Sequence, residues 1–295
     1  MKLKKIRNAL LVVLTLALVS AAAVAITYAE LNEQFNTETN NFTNGAITAE
    51  LSEYDWDGKK GSLESGSSKT DAEMTQDANL DVPVFGKNKA AKYTPSMLIP
   101  KNPMVSNTTD DIPEWIAVKV YYVVHIETDA STTVDVVYTR SQFETNIAKF
   151  YDNDSTPAQI TVSSNTWNTN WYVDDSKTDT NNKPYSVFYY TSIVNARNST
   201  ARLFDNVKIN PLTPNASTNK YSFANPSDSE HPYTSDKLPT FDIKIKGYAI
   251  QAVGKEDNNN QLGRSFSDDG AYIRQELDRV ITADTGFTST STQDT

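Results

Sequence analysis

The stretch that decides the fold of this chain is Glu114-Trp115-Ile116-Ala117-Val118-Lys119-Val120-Tyr121-Tyr122-Val123-Val124-His125-Ile126-Glu127-Thr128. Apolar side chains recur at every second position from Ile116 to Ile126, with Lys119 on the opposite face. An apolar period of two residues is typical of a β-strand that has one face in a core. We therefore predict a long central strand in a half-buried sheet.

Segments of the same character flank this strand on both sides. They are dense in β-branched and aromatic residues, and loops rich in Asp, Asn, Ser and Thr separate them. They lie at residues 46–51, 134–138, 159–162, 165–173, 184–194, 203–209 and 240–253. Because no βαβ rhythm occurs, the pattern predicts an all-β, antiparallel, jelly-roll-like β-sandwich with short peripheral helices.

The last strand, at residues 240–253, changes its apolar phase. Odd positions are apolar from Phe241 to Ile245, even positions are apolar from Tyr248 to Ala252, and Gly247 sits at the change. An extra residue in one strand would produce such a shift, so we predict a β-bulge at Gly247.

Two helices are predicted from apolar spacings of three and four residues. The first covers residues 141–151, with Ser141 as its N-cap and Glu144 in the capping-box position. The second covers residues 268–281 and begins with Asp268 as its cap.

The N-terminus reads as a secretory signal peptide. Four basic residues precede an uncharged apolar run at residues 9–26, and small residues follow up to Ala29. We expect cleavage between Ala29 and Glu30, which predicts a secreted protein. The predicted organisation is then a signal peptide at 1–29, an N-terminal segment and first strand at 30–51, a sandwich domain at 52–253 with a long loop at 55–81, and a C-terminal helix with a Thr/Ser-rich tail at 254–295.

The mature chain is strongly acidic. Removing the four basic residues of the leader leaves 23 Lys and Arg against 37 Asp and Glu, a net charge of −14. Such a chain is repelled by phosphate backbones, so we expect no nucleic-acid partner. The chain contains no cysteine, which excludes disulfides, thiolate metal sites and thiol catalysis.

Candidates for catalysis are few. The chain has two histidines, His125 and His231, and neither belongs to an H-E-x-x-H pair that could hold zinc. We predict no catalytic residues and no cofactor. The alternative for a cofactor is calcium, because carboxylates cluster in several loops. These clusters are Asp55/Asp57, Asp152/Asp154, Asp174/Asp175/Asp179 and Glu256/Asp257.

Several blocks of the chain resemble the TasA/camelysin family, whose members carry a leader cut by the dedicated signal peptidase SipW. At the N-terminus these blocks are Thr27-Tyr28-Ala29, Phe35-Asn36-Thr37-Glu38-Thr39 and Asn41-Phe42-Thr43-Asn44-Gly45-Ala46-Ile47. Leu31 stands where an aromatic residue is commoner in the family. Later blocks follow in the family's order at residues 101–108, 114–120, 188–190, 203–207 and 248–252.

The resemblance implies an exported jelly-roll subunit that self-associates into filaments in the extracellular matrix or on the cell surface. Its partners would be a signal peptidase of SipW type and other matrix proteins. In such fibres the N-terminal segment of one subunit completes the sheet of the next. The donor strand here would carry Leu31, Phe35, Phe42 and Ile47. Residues 30–51 are too sparse in apolar residues to form much core alone, which suits a strand added to a neighbour's edge. Pairing of this segment within its own domain is the alternative.

Two other functions stay open at this point. The resemblance also implies a camelysin-like metalloprotease, which the scarcity of histidine disfavours. A carbohydrate-binding surface is suggested by Trp167, Trp171 and Tyr172, which lie close together in sequence. Packing in the core or at a sheet edge is the alternative role for these three rings.

Overall fold

The computed structural model describes residues 32–36, 47–70, 74, 85–128, 132–153, 155–252 and 265–290. Its strands are β1 Asn32–Asn36, β2 Ala49–Ser52, β3 Leu98–Pro100, β4 Met104–Asn107, β5 Glu114–Glu127, β6 Thr133–Tyr138, β7 Ala148–Asp152, β8 Ala158–Gln159, β9 Thr166–Asn168, β10 Trp171–Thr178, β11 Pro184–Tyr190, β12 Asn206–Ile209, β13 Tyr221–Phe223, β14 Tyr233–Ser235 and β15 Thr240–Gln251. Its helices are α1 Tyr54–Asp57, α2 Gly86–Ala90, α3 Arg140–Asn146 and α4 Phe266–Ala283.

Strand β5 is the centre of a seven-stranded antiparallel sheet. Strand β15 pairs with one edge of β5 along most of its length, while β11 and β6 share the other edge. The sheet continues from β15 to β1 and from β11 through β10 to β9. The long alternating stretch of the sequence therefore forms the strand to which most of the sheet is attached.

Smaller sheets form the opposing layer. They are the four-stranded sheet β3-β12-β7-β8 and the pair β2-β4, and the pair β13-β14 is a third small sheet. The main core contains side chains from both layers, among them Val118 and Phe188 of the large sheet and Val105, Phe150 and Val207 of the small ones. The prediction of an all-β, antiparallel sandwich is confirmed. The described residues contain no helix long and apolar enough to span a membrane.

The prediction that β5 has only one buried face is wrong. Ile116 and its partners at every second position lie in the main core, but Trp115, Ala117 and Val123 on the other face are also buried. They form a second core beneath α4, which contributes Ile273 and other apolar residues. Aromatic and small apolar residues between the core positions were a sign of this second layer.

The β-bulge predicted at Gly247 is absent. Strand β15 pairs with β5 without a break from Thr240 opposite His125 to Gln251 opposite Glu114. The apolar phase changes because the two ends of β15 supply different cores. Its early apolar residues enter the main core, whereas Tyr248 and Ile250 pack in the second core with α4.

The first predicted helix is shorter than expected and starts earlier. Helix α3 is capped by Thr139, whose hydroxyl accepts a hydrogen bond from Gln142 N, while Gln142 Oε1 accepts one from Thr139 N. The prediction of Ser141 as cap is therefore wrong. Residues 148–152 instead form β7, which pairs with β12, and Phe150 is buried in this strand. The helix predicted at 268–281 is present as α4 and extends two residues further at each end, but its N-cap position is Ser265, so the prediction of Asp268 as cap is wrong.

Candidate functional site: the β1 edge of the large sheet

Strand β1 lies at the edge of the large sheet. It pairs antiparallel with β15, from Asn32 opposite Ile250 to Asn36 opposite Lys246. Within the described part of the chain β15 is its only strand partner. Phe35, a predicted donor residue, is opposite Gly247 in this register. The N-terminal segment thus completes the sheet of its own chain through one row of backbone hydrogen bonds.

The other predicted donor residues are distributed differently. Leu31 and Phe42 lie outside the described residues, as do the predicted cleavage site at Ala29 and Glu30 and the signal peptide at 1–29. Ile47 is 1% exposed and belongs to the main core. Ile47 thus belongs to the body of the domain.

The chain next to Ile47 is fixed in the domain as well. The carbonyl of Thr48 accepts hydrogen bonds from the amide and hydroxyl of Thr108, at 2.7 and 2.9 Å. Strand β2 then pairs with β4. Any segment that leaves the domain therefore ends before Ile47.

Beneath β1, the second core holds a group of charged and polar side chains. Lys246 Nζ lies 2.8 Å from Asp284 Oδ2, and the Tyr248 hydroxyl donates to the same oxygen at 2.8 Å. Burial raises the pKa of Asp284, but the hydrogen bonds from Lys246 and Tyr248 outweigh it, so the pKa lies below its ordinary value. Asp284 directly follows α4, so these contacts tie the helix to the strand that pairs with β1.

The remaining edge of β15 borders a cavity. Strand β1 ends opposite Lys246, and within the described residues no other strand pairs with this edge from Thr240 to Ile245. An apolar cavity of ≈110 Å³ opens there, and its lining includes Trp56, Tyr93 and Phe241. An open strand edge beside an apolar cavity is suited to bind an extended chain with one large side chain.

Both histidines are hydrogen-bonded to carboxylates. His125 is held between two carboxylates, with Nδ1 2.7 Å from Asp135 Oδ1 and Nε2 3.1 Å from Asp242 Oδ2. The hydrogen bond to Asp242, helped by that to Asp135, outweighs burial and raises the pKa of His125 to about 9. The imidazole is therefore a cation at neutral pH, and a cation neither ligates a metal nor accepts a proton. His231 is an exposed loop residue beside Asp228.

The predicted acidic clusters mostly bond to protein groups. Asp175 accepts hydrogen bonds from the guanidinium of Arg140, and Asp174 accepts from Ser176 and Lys177. Among the described residues no three acidic or histidine side chains are placed to hold a metal together. Asp154, Glu256 and Asp257 lie outside the described residues.

The tryptophans suggested for carbohydrate binding are core residues. Trp167 and Trp171 are 2% and 1% exposed. Trp167 Nε1 donates to the Leu203 carbonyl at 2.7 Å, so the polar edge of this ring is also satisfied. Tyr172 is half-buried, and the guanidinium of Arg274 covers its ring at 4.4 Å. Neither buried indole offers a face on which a sugar could stack.

The second core contains buried lysines that were not predicted from the sequence. Lys119 is 3% exposed and lies over the ring of Tyr185 at 4.3 Å, and Lys246 is 9% exposed. Desolvation lowers the pKa of Lys119. The clue was the aromatic residues that share the face of β5 on which Lys119 lies.

Comparison of the chain with family models, with characterised proteins and with solved structures gave no match.

Proposed function

We propose that this protein is an exported structural subunit of extracellular fibres, in a biofilm matrix or on a cell surface, and that the subunits assemble by strand donation. The observation that carries the proposal is the position of β1, an edge strand that pairs with β15 alone among the described strands. The donated segment is residues 30–46, and Ile47 is where the chain enters its own domain.

Exchange of β1 between subunits would replace its backbone hydrogen bonds with equivalent ones. A strand from a neighbouring subunit can make the same backbone hydrogen bonds to β15 that β1 makes in its own chain. The closed monomer and the fibre would then differ mainly in chain entropy and in new contacts between domains. A head-to-tail exchange of this kind does not close, so it produces filaments.

The open part of the β15 edge favours the exchanged form. If a donated strand continues the register of β1 beyond Asn36, residue 42 comes opposite Thr240. Residues 39 and 41 would then come opposite Ile243 and Phe241, which line the cavity beside Trp56. Such a strand would pair along the whole edge of β15, which provides a reason for assembly beyond the contacts of β1.

The partners follow from this function. A signal peptidase of SipW type would release the donor segment by cleavage between Ala29 and Glu30, the subunits would bind one another, and other matrix proteins would join the fibre. The proposed function needs no cofactor, no catalytic residue and no nucleic acid. It places the protein outside the cell.

Cysteine pairs test the proposal directly, because the natural chain has no cysteine. Glu33 and Ala249 are opposite each other in the β1–β15 register, at a separation that a disulfide can span. We expect mature E33C/A249C to form fibres that give a ladder of covalent multimers after oxidation. Reducing agent should collapse the ladder to monomer on denaturing gels.

The single variants E33C and A249C are the controls and should give no species larger than a dimer. Removal of residues 30–36 should abolish fibres and leave a folded monomer. Oxidised E33C/A249C that stays wholly monomeric, although fibres are visible by electron microscopy, would show that β1 stays in its own subunit. A mature chain that forms no fibres under any condition refutes the function itself.

A further inference from the structure

A buried carboxylate, Glu50, lies on the outer face of β2. Ala49 and Leu51 of this strand enter the main core, so Glu50 and Ser52 point the other way. Glu50 is nevertheless only 1% exposed. Its Oε2 accepts a hydrogen bond from Ser62 N at 2.6 Å, while Oε1 is buried and has no hydrogen-bond partner among the described residues.

Two further oxygen-bearing side chains converge on the same turn. A Cβ atom at Gly61 would lie 3.2 Å from Ser52 Oγ and 3.3 Å from Glu64 Oε2, so these two oxygens flank the Gly61 backbone. Ser52 Oγ is buried, and it too has no hydrogen-bond partner in the part of the chain that the structure describes. Glu64 Oε2 accepts from Gly61 N at 2.6 Å. Two carboxylates and a hydroxyl thus surround one turn of the chain.

Among the described residues no cationic side chain pairs with these carboxylates, and Lys60 of the same turn lies over the Tyr54 ring at 4.3 Å. Neither Glu50 nor Glu64 forms an ion pair with a described side chain, and the buried Lys101 is bound to Glu53 at 2.7 Å and lies over Trp56. A buried carboxylate without a counter-charge is unfavourable, since it has lost its water and gained little in return.

We propose that this turn binds a hard divalent cation through Glu50, Ser52 and Glu64. Glu50 Oε1 and Ser52 Oγ would be oxygen ligands of the cation, and Glu64 adds a second negative charge. Only two carboxylates take part, so backbone carbonyls and water must complete the shell, as they do at many calcium sites. The bound ion would fix the 58–64 turn onto β2. This site does not depend on the proposed fibre function.

Calcium alone is the probe. The mature protein is stripped with a chelator, dialysed and titrated with Ca²⁺ in a calorimeter, and its Tm is measured at each concentration. At a hundredfold excess over Kd we expect a rise in Tm of roughly 5–10 °C. E50Q keeps the shape of the side chain and removes its charge, so it should lose this rise. G61A places a methyl group between the ligands and should weaken binding at least tenfold.

The matched control is D111N, which removes one carboxylate from an exposed loop position and should respond to Ca²⁺ like the natural protein. An unchanged Tm of the natural protein with Ca²⁺, and no calorimetric heat, overturns the proposal. Equal responses of E50Q, E64Q and the natural protein also overturn it, because the effect would then be general screening of an acidic surface. If E50Q fails to fold, E64Q decides between these outcomes.

Discussion

Removal of the Asp284 side chain should strongly lower the free energy of unfolding. Its Oδ2 atom is the acceptor for both Lys246 and Tyr248, each at 2.8 Å, and its side chain is 6% exposed. Its Oδ1 atom accepts from the amides of Gly286 and Phe287, at 3.0 and 3.3 Å. One carboxylate therefore holds the end of α4, the following turn and the middle of β15 together.

The D284A variant leaves the Lys246 ammonium, which is 11% exposed, without its partner. Breaking a buried pair in this way costs about 3–5 kcal/mol of unfolding free energy. With about 2–4 °C of Tm for each kcal/mol in a domain of this size, Tm should fall by roughly 6–20 °C. Urea unfolding of the mature protein, followed by tryptophan fluorescence, measures the change.

D284N separates charge from hydrogen bonding, because the amide still accepts a hydrogen bond but cannot balance Lys246. We expect it to lie between D284A and the natural protein. The double variant K246M/D284N removes the stranded charge and should recover part of the loss. A D284A variant within about 1 kcal/mol of the natural protein would refute the assignment of Asp284 as the central contact of the second core.

The Lys246–Asp284 ion pair also predicts how the free energy of unfolding changes at acid pH. The pKa of Asp284 is lowered in the folded protein, so its contribution is present above the unfolded pKa of about 3.9 and is lost as pH falls through the folded value. The difference in stability between the natural protein and D284A should therefore be constant near neutral pH and shrink below about pH 4. A difference that instead shrinks toward alkaline pH would contradict this origin.

Three further predictions concern other parts of the fold. The pKa of His125 is raised to about 9, so the stabilisation by its charged form is lost as pH rises from about 6.5 through 9. H125N should therefore lower the free energy of unfolding at pH 6 and have little effect at pH 10. Urea unfolding across this pH range measures the difference. A Cβ at Gly86 would lie 1.8 Å from a backbone carbonyl oxygen, whereas at Gly286 nothing is closer than 3.4 Å, so G86A should cost about 3 kcal/mol in thermal unfolding and G286A far less. T139A removes the cap of α3 and should cost about 1 kcal/mol, against about 0.5 kcal/mol or less for the exposed S141A, both measured by urea unfolding.

The sequence predicts elements best where one pattern persists. The alternation in β5 and the helical spacing in α4 are both long, and both elements form as expected. The helix α3 was predicted two residues late because Ser141 and Glu144 match a capping box as well as Thr139 and Gln142 do. The pairing of β7 with β12 explains the other end of the helix, since residues 148–152 are taken up by the small sheet.

The errors in β5 and β15 have one physical cause. A period of two predicts which residues share a face, but it does not reveal what covers the second face. That cover is α4, which lies far along the chain from β5, and the alternation around Lys119 reads as solvent-facing until the helix is placed. The apparent phase change at Gly247 has the same origin, since Tyr248 packs under α4 while Ile245 enters the main core.

Burial of both faces of β15 also bears on the proposed exchange of β1. An acceptor strand must keep its shape while its edge is open, or it loses the register that a donor strand has to match. Here the pairing with β5 fixes one edge of β15, and the contacts of Lys246 and Tyr248 with Asp284 fix one face. None of these contacts involves β1. The acceptor edge would therefore persist when β1 leaves, and an incoming strand would restore the backbone hydrogen bonds that the five residues of β1 make.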